Sequence, residues 1–531
     1  MTRLSSKHFA FILGILSLLS MALYLGFSFA TIGDFGFPLD DGWIHQTYAR
    51  NLALHGQLAF LPGQPSAGST APLWSLLLTP GYLLPLDYRA WTYFLGALLL
   101  ALSCWLLSLV ADRLFPDRRE IAPLAALFCA LEWHLNWAAF SGMETLLFIF
   151  LSLLLLYSYF NRANPFQIGL VGGLLILARP EGAVLLGLVA LAGLGQQFEW
   201  GKLSSSLPAI SMRTMSTHIG LTGIGFALPI IPYLAFNLST SGLLFPNTFY
   251  AKQAEFSALF ALVPLPLRLF RLGTVTFVGA QVLLVPGFLY AAYLLVKERR
   301  WAATLPLLWW LTFPVLYALR LPVIYQHGRY LIPTIPIMVP YALWGTAKLL
   351  RLGTRSKTRS HFGTALREGR QPLNREVVSE QRLRSSRVIN KALLISLPIL
   401  LIAFWLRGAS AFAVDVDIID CQVTKTTLWL EENTAPEATI AVHDIGAAGY
   451  FLSRPLVDLA GLITPEVIPF IRDEPRLLKF MEEREVDYLV TAPLWYPEMV
   501  KDRRLNMVYQ RNCPTVRAAG GDEMAVYKIE W

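Results

Sequence analysis

The chain of 531 residues is 55% hydrophobic and only 15% charged, against roughly 25% charged in an ordinary soluble domain. With a mean hydropathy of +0.49 and long apolar runs recurring along it, this composition excludes a soluble globular protein and reads as a polytopic membrane protein. The net charge of +8 does not point to nucleic acid, because the excess gathers between two apolar segments, where residues 351–391 hold eleven Lys/Arg against three Glu. A basic block in that position is a cytoplasmic-loop signature, near anionic headgroups.

The first apolar run, residues 9–32, is too long for the core of a signal peptide, and no small-residue cleavage site follows it. It reads as a retained first span. Ten more are predicted near 90–111, 120–139, 143–160, 166–179, 181–198, 218–237, 272–296, 301–319, 330–350 and 392–407, giving eleven. With the N-terminus in the cytoplasm, Arg113, Arg118, Arg119, Arg162, Lys202, Arg213, Lys297, Arg299, Arg300 and the basic block all fall on the cytoplasmic side. Gly169 and Gly173, four apart in one span, predict close helix packing.

After residue 407 the charge rises and the apolar runs shorten to strand length, at 439–444, 454–459, 487–492 and 523–529, with helical patterns at 422–433 and 475–485 between them. The chain thus divides into an α-helical membrane region, 1–407, and an α/β domain, 408–531, placed outside the cytoplasm. The first outer loop is 33–89. Cys421 and Cys513 fall in the α/β domain, where an oxidising compartment permits a bridge, while Cys104 and Cys129 sit in spans as packing residues.

Five separate connections carry acids and bases to the outer face. They supply Asp40 and Asp41; Glu144 in SGMET; Arg179 and Glu181 in ARPEG; Asn247, Tyr250 and Lys252 in FPNTFYAK; and His327, Arg329 and Tyr330 in QHGRYLIP. A charge at bilayer depth costs about 2.5–3.5 kcal/mol on insertion scales, so such groups usually line a wet cavity. Each has a plainer role as well: Asp40 or Asp41 can cap the helix that follows, and Arg329 can snorkel from the end of its span. His45 lies one turn beyond Asp41 on the same helix face and reads as an interfacial residue, while His443 and Asp444 read as structural. Together the acids and bases fit group transfer from a lipid-phosphate carrier, with Arg or Lys gripping the phosphate and a carboxylate taking the proton of an acceptor hydroxyl.

The run DDGWIHQTYARNLALHGQLAFLPGQPSAGSTAPLW (40–74) resembles the first outer loop of the GT-C superfamily of glycosyltransferases. SGMET, LARPEG, FPNTFYAK, GRYLIPTIP and HDIGAAGYFLSRPLVDLAGLITPE follow in the order seen in enzymes similar to the mycobacterial terminal β-(1→2)-arabinofuranosyltransferases. The resemblance covers most of the chain. It implies an inverting transferase of the cell membrane, acting at the outer face on a polyprenyl-phosphate sugar, arabinofuranose or a hexose, with a glycan, lipid or protein acceptor. Carried over, Asp40 is the expected general base and Asp41 orients hydroxyls. Glu144 lies in the cavity wall, and Arg179, Lys252 and Arg329 take the donor phosphate. Tyr250, Tyr330 and Asn247 contact hydroxyls. Some relatives bind a divalent ion near such carboxylates, but this sequence has no dense His/Asp cluster, so no metal is expected. The rivals are a lipid-linked saccharide flippase, which would place charges at mid-membrane, and a non-catalytic envelope scaffold.

Overall fold

A computed structural model describes residues 6–197, 212–355 and 373–531. The centre of the basic loop, and Lys202, lie outside the described residues. Among the described residues six helices are long and apolar enough to cross a membrane: Ser6–Ile32, Tyr88–Leu114, Met215–Ser241, Ala280–Lys297, Trp301–Arg320 and Lys391–Asn433. The pair Trp133–Phe140 and Thr145–Phe160 is apolar enough only when taken together and is bent by 117° at its break, as a broken span or a re-entrant loop would be.

Eleven spans were expected, and several of the other helices at those positions are shorter or divided. Ile121–Leu131, Pro165–Ala178 and Gly182–Gly193 are apolar but short. Glu132, its side chain capping Leu135 N–H, starts a new helix and divides one expected span. Pro180 divides the pair around it, since proline lacks the N–H to continue a helix and disfavours helical geometry in the residue before it, where Arg179 is extended at φ −160°.

Glycine lets the helices approach. A Cβ on Gly169 would lie 2.0 Å from the carbonyl of Thr222, so Pro165–Ala178 and Met212–Ser241 pack backbone to backbone, as the glycine spacing predicts. Gly345 and Gly287 do the same for a second helix pair, with 1.9 Å between a Cβ on the former and the latter's carbonyl.

The C-terminal region forms a five-stranded mixed sheet. A short hairpin, β1 (Ala59–Leu61) and β2 (Gln64–Pro65), precedes it in the chain. The sheet comprises β3 (Ile440–Val442), β4 (Leu456–Asp458), β5 (Tyr488–Thr491), β6 (Leu505–Gln510) and β7 (Ala525–Ile529), in the order β4-β3-β5-β7-β6. β3 runs parallel to β4 and β5, and β7 antiparallel to β5 and β6. Four strands lie on the predicted apolar runs; β6 was not anticipated. Cys421 and Cys513 are bonded, tying the end of the long helix Leu373–Ile419 to the segment after β6. Cys104 and Cys129 are buried and free.

Candidate active site

The helix Asp40–His55 begins after Leu39, whose extended backbone (φ −145°) turns the chain into it. Two carboxylates in its first turn suit the positive end of the helix dipole. Successive residues on a helix point about 100° apart, and here that separates their tasks. Asp40 turns toward the C-terminal region: its two oxygens accept the backbone N–H groups of Gly446 (2.6 Å) and Ala447 (2.7 Å), at the start of Ile445–Phe451. A Cβ on Gly446 would stand 2.0 Å from the carbonyl of Asp40, which leaves room for glycine alone. Burial, with Asp444 beside it, pushes the Asp40 carboxyl above the usual carboxylate range in spite of the two N–H donors.

Asp41 turns the other way, into a cavity of about 370 Å³. Its Oδ2 lies 2.5 Å from Arg329 Nη2 and 3.8 Å from Lys252 Nζ. Burial alone would raise its pKa, but the two cations outweigh burial and hold it well below the usual range. Tyr330 Oη accepts from both Lys252 Nζ (3.2 Å) and Arg329 Nη2 (2.9 Å), and the Arg329 guanidinium lies 4.8 Å over the Tyr330 ring. Burial works against the Lys252 charge, yet Tyr330 and Asp41 beside it leave its pKa above the ordinary lysine value.

A second set of charges faces the same cavity. Glu144 at the helix break lies 3.3 Å from His45 Nε2 and 3.6 Å from Arg179 Nε. Arg179 reaches Glu181 at 3.5 Å and donates to Tyr317 Oη, which donates in turn to Glu181. Tyr317 stacks on Tyr330 at 5.3 Å, so the two charge sets share one aromatic wall. The rest of the lining is largely apolar, including Ile44, Val184, Phe245, Phe249 and Leu316.

Of the residues singled out in the sequence, Asp41, Glu144, Arg179, Glu181, Lys252, Arg329 and Tyr330 line this cavity. Four expected there do not. Asp40 is engaged with the C-terminal region, as described. Asn247 is buried, its N–H donating to Ala67 O at 3.0 Å and its side chain to Leu462 O at 3.3 Å, where it braces the loop carrying Gly68 and Ser69. Tyr250 packs edge-on against Phe249 instead of facing the space. His327 binds Asp415, its Nε2 2.8 Å from Oδ2. His45 and Tyr317 also line the cavity. The spacing of His45 from Asp41 hinted at the first; nothing in an apolar run marks the second.

The acidic pair does not fit a divalent cation. Asp40 gives both oxygens to backbone N–H groups and Asp41 lies against two cations, so they do not converge on one point. Among the described residues no group of three or more His, Cys, Asp or Glu is placed to hold a metal ion.

A crystal structure of ArnT from Cupriavidus metallidurans bound to undecaprenyl phosphate matches with a TM-score of 0.53 at 14% identity, over 96% of this chain and 97% of that one. The oligosaccharyltransferase of Archaeoglobus fulgidus, tethered to an acceptor peptide, matches with a TM-score of 0.54 at 14% identity, over 99% of this chain and 74% of that one. The fold is shared with these two proteins over nearly the whole chain. At this identity the likeness shows the fold alone. A family model described as a domain of unknown function, DUF8728, matches residues 414–527, the span that holds the sheet. No curated protein matches the chain in sequence.

Proposed function

We propose that the chain is a membrane glycosyltransferase that moves a sugar, arabinofuranose or a hexose, from a polyprenyl-phosphate carrier to a hydroxyl of an envelope glycan, lipid or protein. One observation carries this reading. Arg329 and Lys252 stand together at the cavity, their nitrogens 2.5 and 3.8 Å from one oxygen of Asp41, and much of the remaining lining is apolar. Two cations held this close to one carboxylate oxygen can share a phosphate oxygen in the same way. The apolar lining suits the prenyl chain, and the undecaprenyl phosphate held by ArnT supports this donor class.

In this reading Asp41 is the base in place of Asp40, because Asp41 faces the cavity while both oxygens of Asp40 accept backbone N–H groups. At rest Asp41 is neutralised by Arg329 and Lys252 and is a weak base. A donor phosphate competing for those cations loosens that hold and restores its basicity. The acceptor hydroxyl then gives its proton to Asp41 as its oxygen bonds the anomeric carbon from the face opposite the leaving group. The bond from that carbon to the phosphate oxygen breaks, and polyprenyl phosphate departs with the electron pair, its charge held by Arg329 and Lys252. Glu144, His45, Arg179 and Glu181 line the sugar's side of the space. No step needs a metal ion.

The eleven-crossing topology, with the C-terminal region outside the cytoplasm, belongs to the same reading. The Cys421–Cys513 bond supports an oxidising surrounding. The test is purified protein in lipid nanodiscs with polyprenyl-phosphate pentofuranoses and hexoses, followed for free polyprenyl phosphate and glycosylated product. Transfer or sugar release supports the reading. In liposomes, passage of intact donor between leaflets without release would instead make the protein a flippase, and binding with neither a scaffold.

A further inference from the structure

Three consecutive residues just before Arg329 are left-handed: Gln326 (φ 53°), His327 (φ 57°) and Gly328 (φ 66°). Glycine tolerates this conformation, but Gln and His do not adopt it without support from their surroundings. The Arg329 backbone returns to right-handed geometry (φ −45°), its N–H bonded to Gln326 O at 3.1 Å. The turn therefore sets the direction in which Arg329 leaves the chain toward Asp41.

Its support comes from elsewhere. His327 Nε2 lies 2.8 Å from Asp415 Oδ2, on the helix Leu373–Ile419, and the same oxygen accepts the indole N–H of Trp137 at 2.8 Å. The imidazole stands edge-on to the rings of Trp133 and Trp137 at 5.2 and 5.3 Å. Gly328 is closed in as well, since a Cβ there would meet Val275 Cγ1 at 2.0 Å. Neither His327 nor Asp415 lines the cavity. Two residues on, Asp417 accepts from the hydroxyl of Thr515 in the C-terminal region, so one helix end is fixed both to that region and to the turn.

We propose that His327 and Asp415 are positioning residues, holding the left-handed turn that aims the Arg329 guanidinium at the donor phosphate. The pair acts through Arg329 and touches no substrate. The inference rests on the reading of Arg329 as a phosphate-binding group, so its test carries one readout that needs no donor.

Two measurements are made on full-length protein in nanodiscs: affinity for undecaprenyl phosphate, and the rate at which phenylglyoxal modifies Arg329, followed by peptide mass spectrometry. His327→Leu removes the bond and suits the left-handed turn poorly. Asp415→Asn keeps an acceptor for Trp137 but loses the charge. Each is expected to weaken undecaprenyl phosphate binding about tenfold and to speed modification of Arg329, with the double variant no worse than the poorer single one. His327→Gln, whose amide nitrogen reaches the place of Nε2 and can donate to Asp415, is expected to stay within about threefold of the parent on both measures, since Gln326 beside it already adopts the left-handed backbone. A purely packing role would not be rescued in this way. Unchanged affinity and unchanged modification in His327→Leu and Asp415→Asn would overturn the proposal, as would additive losses or failure of His327→Gln to keep both near the parent values. A parent protein that does not bind undecaprenyl phosphate would count against the donor reading alone, and the modification rates would then decide the positioning role.

Discussion

Asp40 Oδ2 accepts the backbone N–H of Gly446 at 2.6 Å, joining residues 406 positions apart. The contact fixes the C-terminal region on the helix that also presents Asp41 to the cavity, so it acts on the site through geometry. Gly446→Ala forces a methyl group to 2.0 Å from the Asp40 carbonyl, which only a backbone shift can relieve. A loss of about 1–3 kcal/mol is expected. Asp40→Asn puts an amide donor against one of two N–H groups and is expected to cost a similar amount. Unfolding midpoints of both variants check this, and unshifted midpoints would mean that the contact contributes nothing.

Asp41→Asn separates the two neighbours functionally. The amide can still lie beside Arg329 and Lys252 but cannot take a proton or balance their charge, so transfer per folded molecule is expected to fall by about 10²–10⁴, with some loss of stability beside it. Asp40→Asn is expected to lose stability and retain part of its turnover. The reverse pattern in single-turnover kinetics would return the role of base to Asp40.

This division was not legible in the sequence, and the reason is physical. Adjacent acids at a helix start announce a cap and a charge, but which one caps depends on a partner 406 residues away. Arg179, Lys252 and Arg329 were legible because charges in so apolar a chain need a wet or paired environment. Tyr317 was hidden in the apolar run Leu305–Arg320, where an aromatic residue ordinarily means packing. Strands β3, β4, β5 and β7 showed as short apolar runs. β6 did not, because it lies at the sheet edge with most of its side chains exposed and so carries little hydrophobic pattern.

Arg329→Lys keeps the charge and loses the planar set of donors. Lysine at this place offers one ammonium to share among Asp41, Tyr330 and phosphate. The KM for the polyprenyl-phosphate donor is expected to rise about 10–100-fold, from charge-assisted hydrogen bonds worth about 1.5–3 kcal/mol. A larger effect on kcat than on KM would show that Arg329 acts mainly on the transition state.

The charge on His443 gives the molecule a dependence on alkaline pH. His443, at the end of β3, lies 3.4 Å from Asp444 and 3.5 Å from Glu255, and Glu255 also binds Arg472 at 2.7 Å. Burial alone would lower the imidazole pKa, but the hydrogen bond to Asp444 and the Glu255 carboxylate beside Nε2 overcome it and raise the value to about 9. In the unfolded chain the value returns to about 6.5, so the folded state holds its proton more tightly. The stabilisation is complete below pH 6.5 and is lost as pH rises through 9. Glu255 closes the helix Asn247–Glu255 that carries Lys252, so the loss loosens the C-terminal region from one wall of the cavity. Unfolding midpoints of the parent protein are expected to fall between pH 7 and 10 relative to those of His443→Gln, which cannot carry the charge. Parallel curves for the two proteins across that window would show that the His443 charge does not hold this junction.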